Sequence, residues 1–227
     1  MKASFFLAMA ALLGLGACHP SKGDFSGDPR LREVEKSIAA GNYDAAVSQA
    51  ANLSNVPEGL YLEGYAMAYG WGDFRKARKP LEQLVKAGAD PALGESALRL
   101  LADCDYWEGY YSRAMREYKK LAESPDRDVQ DYAALQIAGC LLLRNQVGDA
   151  ITAYRALVEK SPGRPAAEQA QLMIANVYLR IQNPSQAKTE LQKLLSFSKN
   201  KAYQADAQAA LRQLDAQAPF EKPGKNQ

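Results

Sequence analysis

The stretch "QVGDAITAYRALVEKSP", residues 146–162, decides how the rest of the chain is read. Ala150 and Tyr154 stand four apart, the segment between them holds helix-compatible residues, and Pro162 stops it. A turn precedes it and a helix-like segment, "DYAALQIAGCLLLRN" (131–145), precedes the turn. The same arrangement recurs along the chain. "GNYDAA" (41–46), "GDFRKA" (72–77), "GYYSRA" (109–114) and "NPSQA" (183–187) are turn segments that also end on alanine. The alanines are Ala46, Ala77, Ala114, Ala150 and Ala187, at spacings of 31, 37, 36 and 37. A fixed period of this length marks a stack of supersecondary units.

Each alanine sits between two helix-like segments. Ala97, Leu98, Leu101 and Ala102 recur at helical spacing, and Ala114, Tyr118 and Leu121 form one face ending at Pro125. Strict apolar–polar alternation, the mark of a strand, is absent. Helix ends are signposted. Asn183-Pro184 and Asp90-Pro91 each put a capping side chain before a first-turn proline, and Gly88 follows "LEQLVKA" as a C-terminal cap.

These residues carry a resemblance to tetratricopeptide repeat (TPR) proteins. In that family a small residue in the first helix is followed twelve positions later by alanine, four later by an aromatic or leucine, and then by a closing proline. Ala138, Ala150, Tyr154 and Pro162 match the series; Ala102, Ala114 and Tyr118 match with Pro125 one place early; Ala175, Ala187 and Leu191 match without the proline. The likeness spans 30–200 and is strongest over 94–200. Earlier it loosens: Tyr65 stands where a small residue is expected, Pro80 predicts a kink in its helix, and the first unit is short. The resemblance implies an all-α, right-handed TPR superhelix, an α-solenoid of about four to five helix pairs. "KAYQADAQAALRQLDAQ" (201–217) reads as a C-terminal capping helix with Ala207, Ala210, Leu211 and Leu214 inward.

The N-terminus reads differently. Lys2, an apolar run from Phe5 to Leu15 and small residues after it have the order of a secretory signal. The run is too short to span a bilayer, which takes about 20 apolar residues. Leu15-Gly16-Ala17-Cys18 resembles the lipobox of bacterial lipoproteins at all four positions. That resemblance implies lipidation of Cys18, which becomes the mature N-terminus, and stable anchoring by more than one acyl chain. His19, not Asp, follows, which in the family's sorting rule favours the outer membrane. The expected organisation is a signal peptide over 1–17, a flexible linker over 18–29, a TPR domain over 30–217 and a disordered tail over 218–227.

Catalysis finds little material. His19, the one histidine, lies in the linker, so no Ser-His-Asp or Cys-His arrangement can form in the repeats. No glycine-rich phosphate loop or zinc pattern is present, and carboxylate pairs such as Asp103 and Asp105 arise by chance among 26 acidic residues. The expectation is a non-enzyme with no cofactor and no metal. With 28 basic residues that form no long stripe, it has no nucleic-acid footprint either. Cys104 and Cys140 stand one repeat apart. Equivalent points on packed helices lie about 8–10 Å apart, beyond the about 7 Å a disulfide spans, which favours buried thiols.

In TPR proteins the first helix of each pair lines the concave face. By that resemblance the lining is Tyr69; Arg99, Asp103, Tyr106 and Trp107; Tyr132, Leu135, Gly139, Leu142 and Leu143; then Leu172, Asn176, Leu179 and Arg180. Aromatics and arginine anchor interfaces. For single residues such as Tyr106, Leu135 and Leu142 the competing reading is core. The expected function is a lipid-anchored periplasmic scaffold or adaptor. It would hold other envelope proteins on its concave TPR face and the membrane through its lipid. It is similar to outer-membrane TPR lipoproteins of β-barrel assembly (BamD-like) or pilus assembly (PilF/PilW-like), and loosely to Tol-Pal-associated TPR proteins. Alternatives are a self-assembling homo-oligomeric scaffold and a regulator of cell-wall synthesis enzymes.

Overall fold

Left-handed residues set the architecture. In the computed structural model, which describes residues 27–217, φ is positive at Gly41 (72°), Gly72 (66°), Gly109 (81°), Asn145 (63°) and Gln182 (57°). Each stands five residues before a repeat alanine. A left-handed residue ends one helix and reverses the chain so that the next runs back beside it.

Five helix pairs and one further helix result, with no strand among the described residues. The pairs are α1 (Pro29–Ala39) with α2 (Tyr43–Ala51), α3 (Pro57–Tyr65) with α4 (Phe74–Ala87), and α5 (Pro91–Trp107) with α6 (Tyr111–Leu121). Then come α7 (Arg127–Leu143) with α8 (Val147–Lys160), and α9 (Pro165–Arg180) with α10 (Pro184–Phe197); α11 (Lys201–Gln217) ends the series. The caps are where the sequence puts them. Asn183 Oδ1 accepts from the Gln186 N–H at 3.2 Å, Asp90 Oδ2 accepts from the Leu93 N–H at 3.2 Å, and Gly88 ends α4 at φ 70°. The chain stays helical across Pro80, whose ring is buried.

The anomaly at Tyr65 has a structural cause. A π turn over Ala66–Gly70 continues α3. In the other four turns a backbone N–H reaches five residues back: Asn42 to Ser37, Tyr110 to Asp105, Gln146 to Leu141 and Asn183 to Tyr178, at 2.8–2.9 Å. In the second pair the Asp73 N–H reaches six back, to Met67, at 3.0 Å. The π turn holds one inserted residue. Counting back from Ala77 therefore reaches the close-approach position at Gly64, not Tyr65. A Cβ on Gly64 would lie 2.6 Å from Leu81 Cγ, so only glycine fits against α4 there.

One compact unit ends at Ala133 and the next begins at Ala134, within α7. In the first, Ala46, Ala77, Ala97, Ala102 and Ala114 are fully buried among Val34, Leu62, Leu81 and Leu84. In the second, Ala138, Ala150, Ala175 and Ala187 are fully buried, with Ile174, Leu191 and Leu194. Each buried leucine contributes about 1.5–3 kcal/mol. Helix α11 turns Ala207, Ala210, Leu211 and Leu214 onto the Leu191–Leu194 cluster, which its expected role as a cap requires.

The turns between pairs carry a repeat of their own. Ser124, Ser161 and Ser198 are buried at 37-residue spacing. Ser124 Oγ accepts from the Asp126 N–H and Ser198 Oγ from the Asn200 N–H, at 3.0 and 3.2 Å. Gln130 and Gln204 each donate a side-chain N–H to the carbonyl of the serine six residues back, at 2.7 Å. Glu168 holds the entry to α11: its carboxylate accepts from Ser198 Oγ and from the Lys199 and Asn200 N–H groups at 2.9–3.3 Å. The expected signal peptide, Cys18 and the expected tail over 218–227 lie outside the described residues.

Candidate partner-binding face

The first helices of the pairs place the sequence-derived residues in two groups, one in each unit. In the first unit they gather around Asp103 on α5. Its Oδ1 accepts from Tyr118 Oη at 2.7 Å and Tyr132 Oη at 2.6 Å, and its Oδ2 from Tyr69 Oη at 3.4 Å. Arg99, one turn earlier on α5, lays its guanidinium over the Tyr132 ring at 3.6 Å. Four helical elements thus converge on one carboxylate: the π turn through Tyr69, α5, α6 through Tyr118 and α7 through Tyr132. Asp103 is only 2% exposed. Burial pushes its carboxyl above the usual carboxylate range, against the pull of Arg99 and the three hydroxyls.

Asp103 and Tyr106 fill the interior of their unit instead of lining its surface. Trp107 is half-buried, stacked on Phe74 with centroids 6.1 Å apart and meeting Tyr106 edge-on at 5.6 Å. Tyr69, Arg99 and Tyr132 are half-buried and keep part of their surface outward.

In the second unit Leu135 is buried against Ala150, Tyr154 and Ile174, and Leu142 is half-buried on the same cluster. Both belong to the packing through that cluster, which draws on α7, α8 and α9. Leu172 packs toward Leu191 and Leu194, and Gly139 and Leu179 are half-buried. Leu143, Asn176 and Arg180 are exposed. The outward set of this unit is therefore Leu143, Asn176 and Arg180, bordered by Leu142 and Leu179.

Two further buried carboxylates sit in ion-pair clusters: Asp105, which the sequence alone offers only as a chance neighbour of Asp103, and Glu190, which it does not single out. Asp105 accepts from Arg113 Nε and Nη2 at 2.6 Å and pairs with Arg78, which also holds Glu82. The hydrogen bonds to Asp105 raise the Arg113 guanidinium further above its already high range. Glu190 accepts from Gln171 Nε2 at 2.7 Å, Arg155 Nη2 at 3.1 Å and Lys193 Nζ at 3.2 Å. Burial opposes its ionisation, yet those bonds outweigh it and hold the carboxyl below its ordinary value. No sequence motif marks either cluster; Asp103 and Asp105 look alike in one dimension but face opposite sides of α5. Cys104 and Cys140 are buried thiols, and burial raises the Cys104 thiol well above its usual range. Among the described residues no group of three His, Cys, Asp or Glu side chains could hold a metal ion, and no helix is long and apolar enough to cross a membrane.

Residues 169–197, which run through most of α9 and all of α10, match the family model for the tetratricopeptide repeat. Solved structures extend the likeness. YrrB, described as a TPR protein with an unusual peptide-binding site, superimposes with a TM-score of 0.57 at 16% identity, over 80% of this chain and 91% of its own. MamA from Desulfovibrio magneticus RS-1 gives 0.60 at 14% identity, over 75% of this chain and 96% of its own. A TPR protein from Parabacteroides merdae ATCC 43184 gives 0.52 at 14% identity, over 82% and 70%. No curated protein matches the chain in sequence. At such identities the likeness is one of fold: the chain has the all-helical TPR fold.

Proposed function

We propose that the protein is a lipid-anchored periplasmic scaffold that holds a segment of another envelope protein against the first helices of its repeats. The observation that carries the binding half is the retention of Arg99 and Tyr132 in the first unit, and of Leu143, Asn176 and Arg180 in the second, at or near the surface of first helices whose opposite sides pack into the core of each unit. TPR domains work by such protein–protein contacts, and the peptide-binding site described for YrrB is a precedent within the fold. The localisation half rests on Leu15-Gly16-Ala17-Cys18 and on His19 after it. BamD-like or PilF/PilW-like assembly duty is the subfamily reading that fits both halves.

Two experiments test the halves separately. A Cys18→Ala chain is expected to stay folded and leave the membrane fraction; retention after a salt wash defeats the lipid reading. Crosslinking in intact cells, compared between the native chain and an Arg180→Glu, Asn176→Ala variant, tests the face. Both positions are exposed, so melting should be unchanged while crosslinked products fall at least several-fold. An unchanged crosslinking pattern defeats the groove. Trp107→Ala does not suit this purpose, because its stacking on Phe74 makes it part of the packing.

A further inference from the structure

Asp103 is an expensive residue for its position. The equivalent positions of the next two units carry Gly139 and Asn176, neither charged. A carboxylate removed from water costs several kcal/mol unless it is fully hydrogen-bonded. Here the bonds are supplied by three tyrosines from three different elements. An ionised carboxylate accepts only, and all three hydroxyls donate to it. Once Asp103 takes a proton it must donate through one oxygen, so at least one of the three hydroxyls has to turn or let go. Tyr69 holds at 3.4 Å against 2.6–2.7 Å for the others and is the bond most easily released.

We infer that Asp103 is the positioning residue of the Tyr69–Arg99–Tyr132 face: its ionised carboxylate orients both rings, and through Tyr132 the Arg99 guanidinium, and its protonation on Oδ2 releases the Tyr69 hydroxyl while Tyr132 keeps Oδ1. The groups that face it are Arg99 from its own helix, Tyr69 from the π turn, Tyr118 from α6 and Tyr132 from α7. The nearby cations Arg78 of α4 and Arg113 of α6 are held by Asp105 instead. Burial moves the event upward from the ordinary carboxylate range. The consequence for partner capture rests on the groove reading; the orienting role itself does not.

The test needs no partner. The full chain in detergent is titrated from neutral to mildly acidic pH while the tyrosine near-ultraviolet and the helix far-ultraviolet circular dichroism are followed. The native protein should show a reversible tyrosine transition with helicity constant. Asp103→Asn should lack the transition and show the acid-form tyrosine band at neutral pH. Tyr132→Phe keeps the ring under Arg99 and the carboxylate but removes a donor to the charged form. Its midpoint should move to higher pH, by about one unit for the loss of one such bond. If Asp103→Asn fails to fold, Tyr132→Phe decides alone. A native protein without the transition, an Asp103→Asn protein that retains it, or a Tyr132→Phe midpoint that stays or falls overturns the inference. Because the signal is read in the free protein, a failed crosslinking experiment bears on the groove and leaves this result standing.

Discussion

Gln182 has a side chain where the first three turns have glycine. At φ 57° its Cβ crowds the following carbonyl, a strain of about 1–2 kcal/mol for an L-residue. Asn145, at φ 63°, meets the same geometry with a short polar side chain that bears it better. Gln182→Gly should therefore raise stability by about 0.5–1 kcal/mol, after glycine's greater unfolded-state entropy is subtracted. Asn145→Gly should change it by less. Thermal melting of the two variants side by side checks the ranking; a destabilised Gln182→Gly would mean that its side chain makes a contact worth more than the strain. These positions also show what one dimension hides. The alanines five residues later reveal the period, but Gln182 gives no local sign of a left-handed turn. Tyr118 is a similar case. The repeat pattern predicts its buried ring, while the direction of its hydroxyl depends on Asp103, a residue of another helix.

The helix pairs were legible because their alanines, caps and stop signals agree with one another. The second pair was less so, and the π turn explains why. An insertion inside a helix shifts the count without altering composition, so Tyr65 appeared in a position that Gly64 fills. A bulge of this kind leaves both flanks in place when the extra residue is removed. Deleting Met67, a half-buried member of the turn outside the Asp103 cluster, should therefore return α3 to regular α geometry with Gly64 twelve places before the alanine. The deletion should cost no more than about 1.5 kcal/mol, the scale of a tolerated core change. Deleting Leu100 from the middle of α5, where no bulge can absorb it, should abolish cooperative unfolding. Equal damage from both deletions would show that the π turn is not an inserted residue. At the same scale, Gly64→Ala forces a methyl onto Leu81 and should destabilise by about 1–3 kcal/mol.

Across the whole molecule the period is legible in the alanines and prolines, whereas the boundary between the two compact units at Ala133 has no sign in the sequence, because α7 runs through it without a break in helical pattern. Nor did the pattern show that each unit would bury carboxyl groups, and those groups govern the response to acid. Asp103 and Glu190 respond in opposite directions. The Asp103 carboxyl is raised in the folded protein, so the native state binds that proton more tightly than the unfolded chain does. Where that carboxyl is ionised its charge costs stability, and the cost is relieved as pH falls through the folded value toward 3.8. The Glu190 carboxyl is lowered, so its contribution is complete above 4.5 and is lost as pH falls through the folded value. Denaturant unfolding against pH should thus show stability holding or rising in mild acid before it declines. Glu190→Gln leaves Arg155 and Lys193 facing a neutral amide and should cost about 1–3 kcal/mol at neutral pH. That deficit should shrink as pH drops below 4.5, where the native glutamate also loses its charge. A deficit that is constant with pH would assign the stability of this cluster to packing and not to the ionised carboxylate.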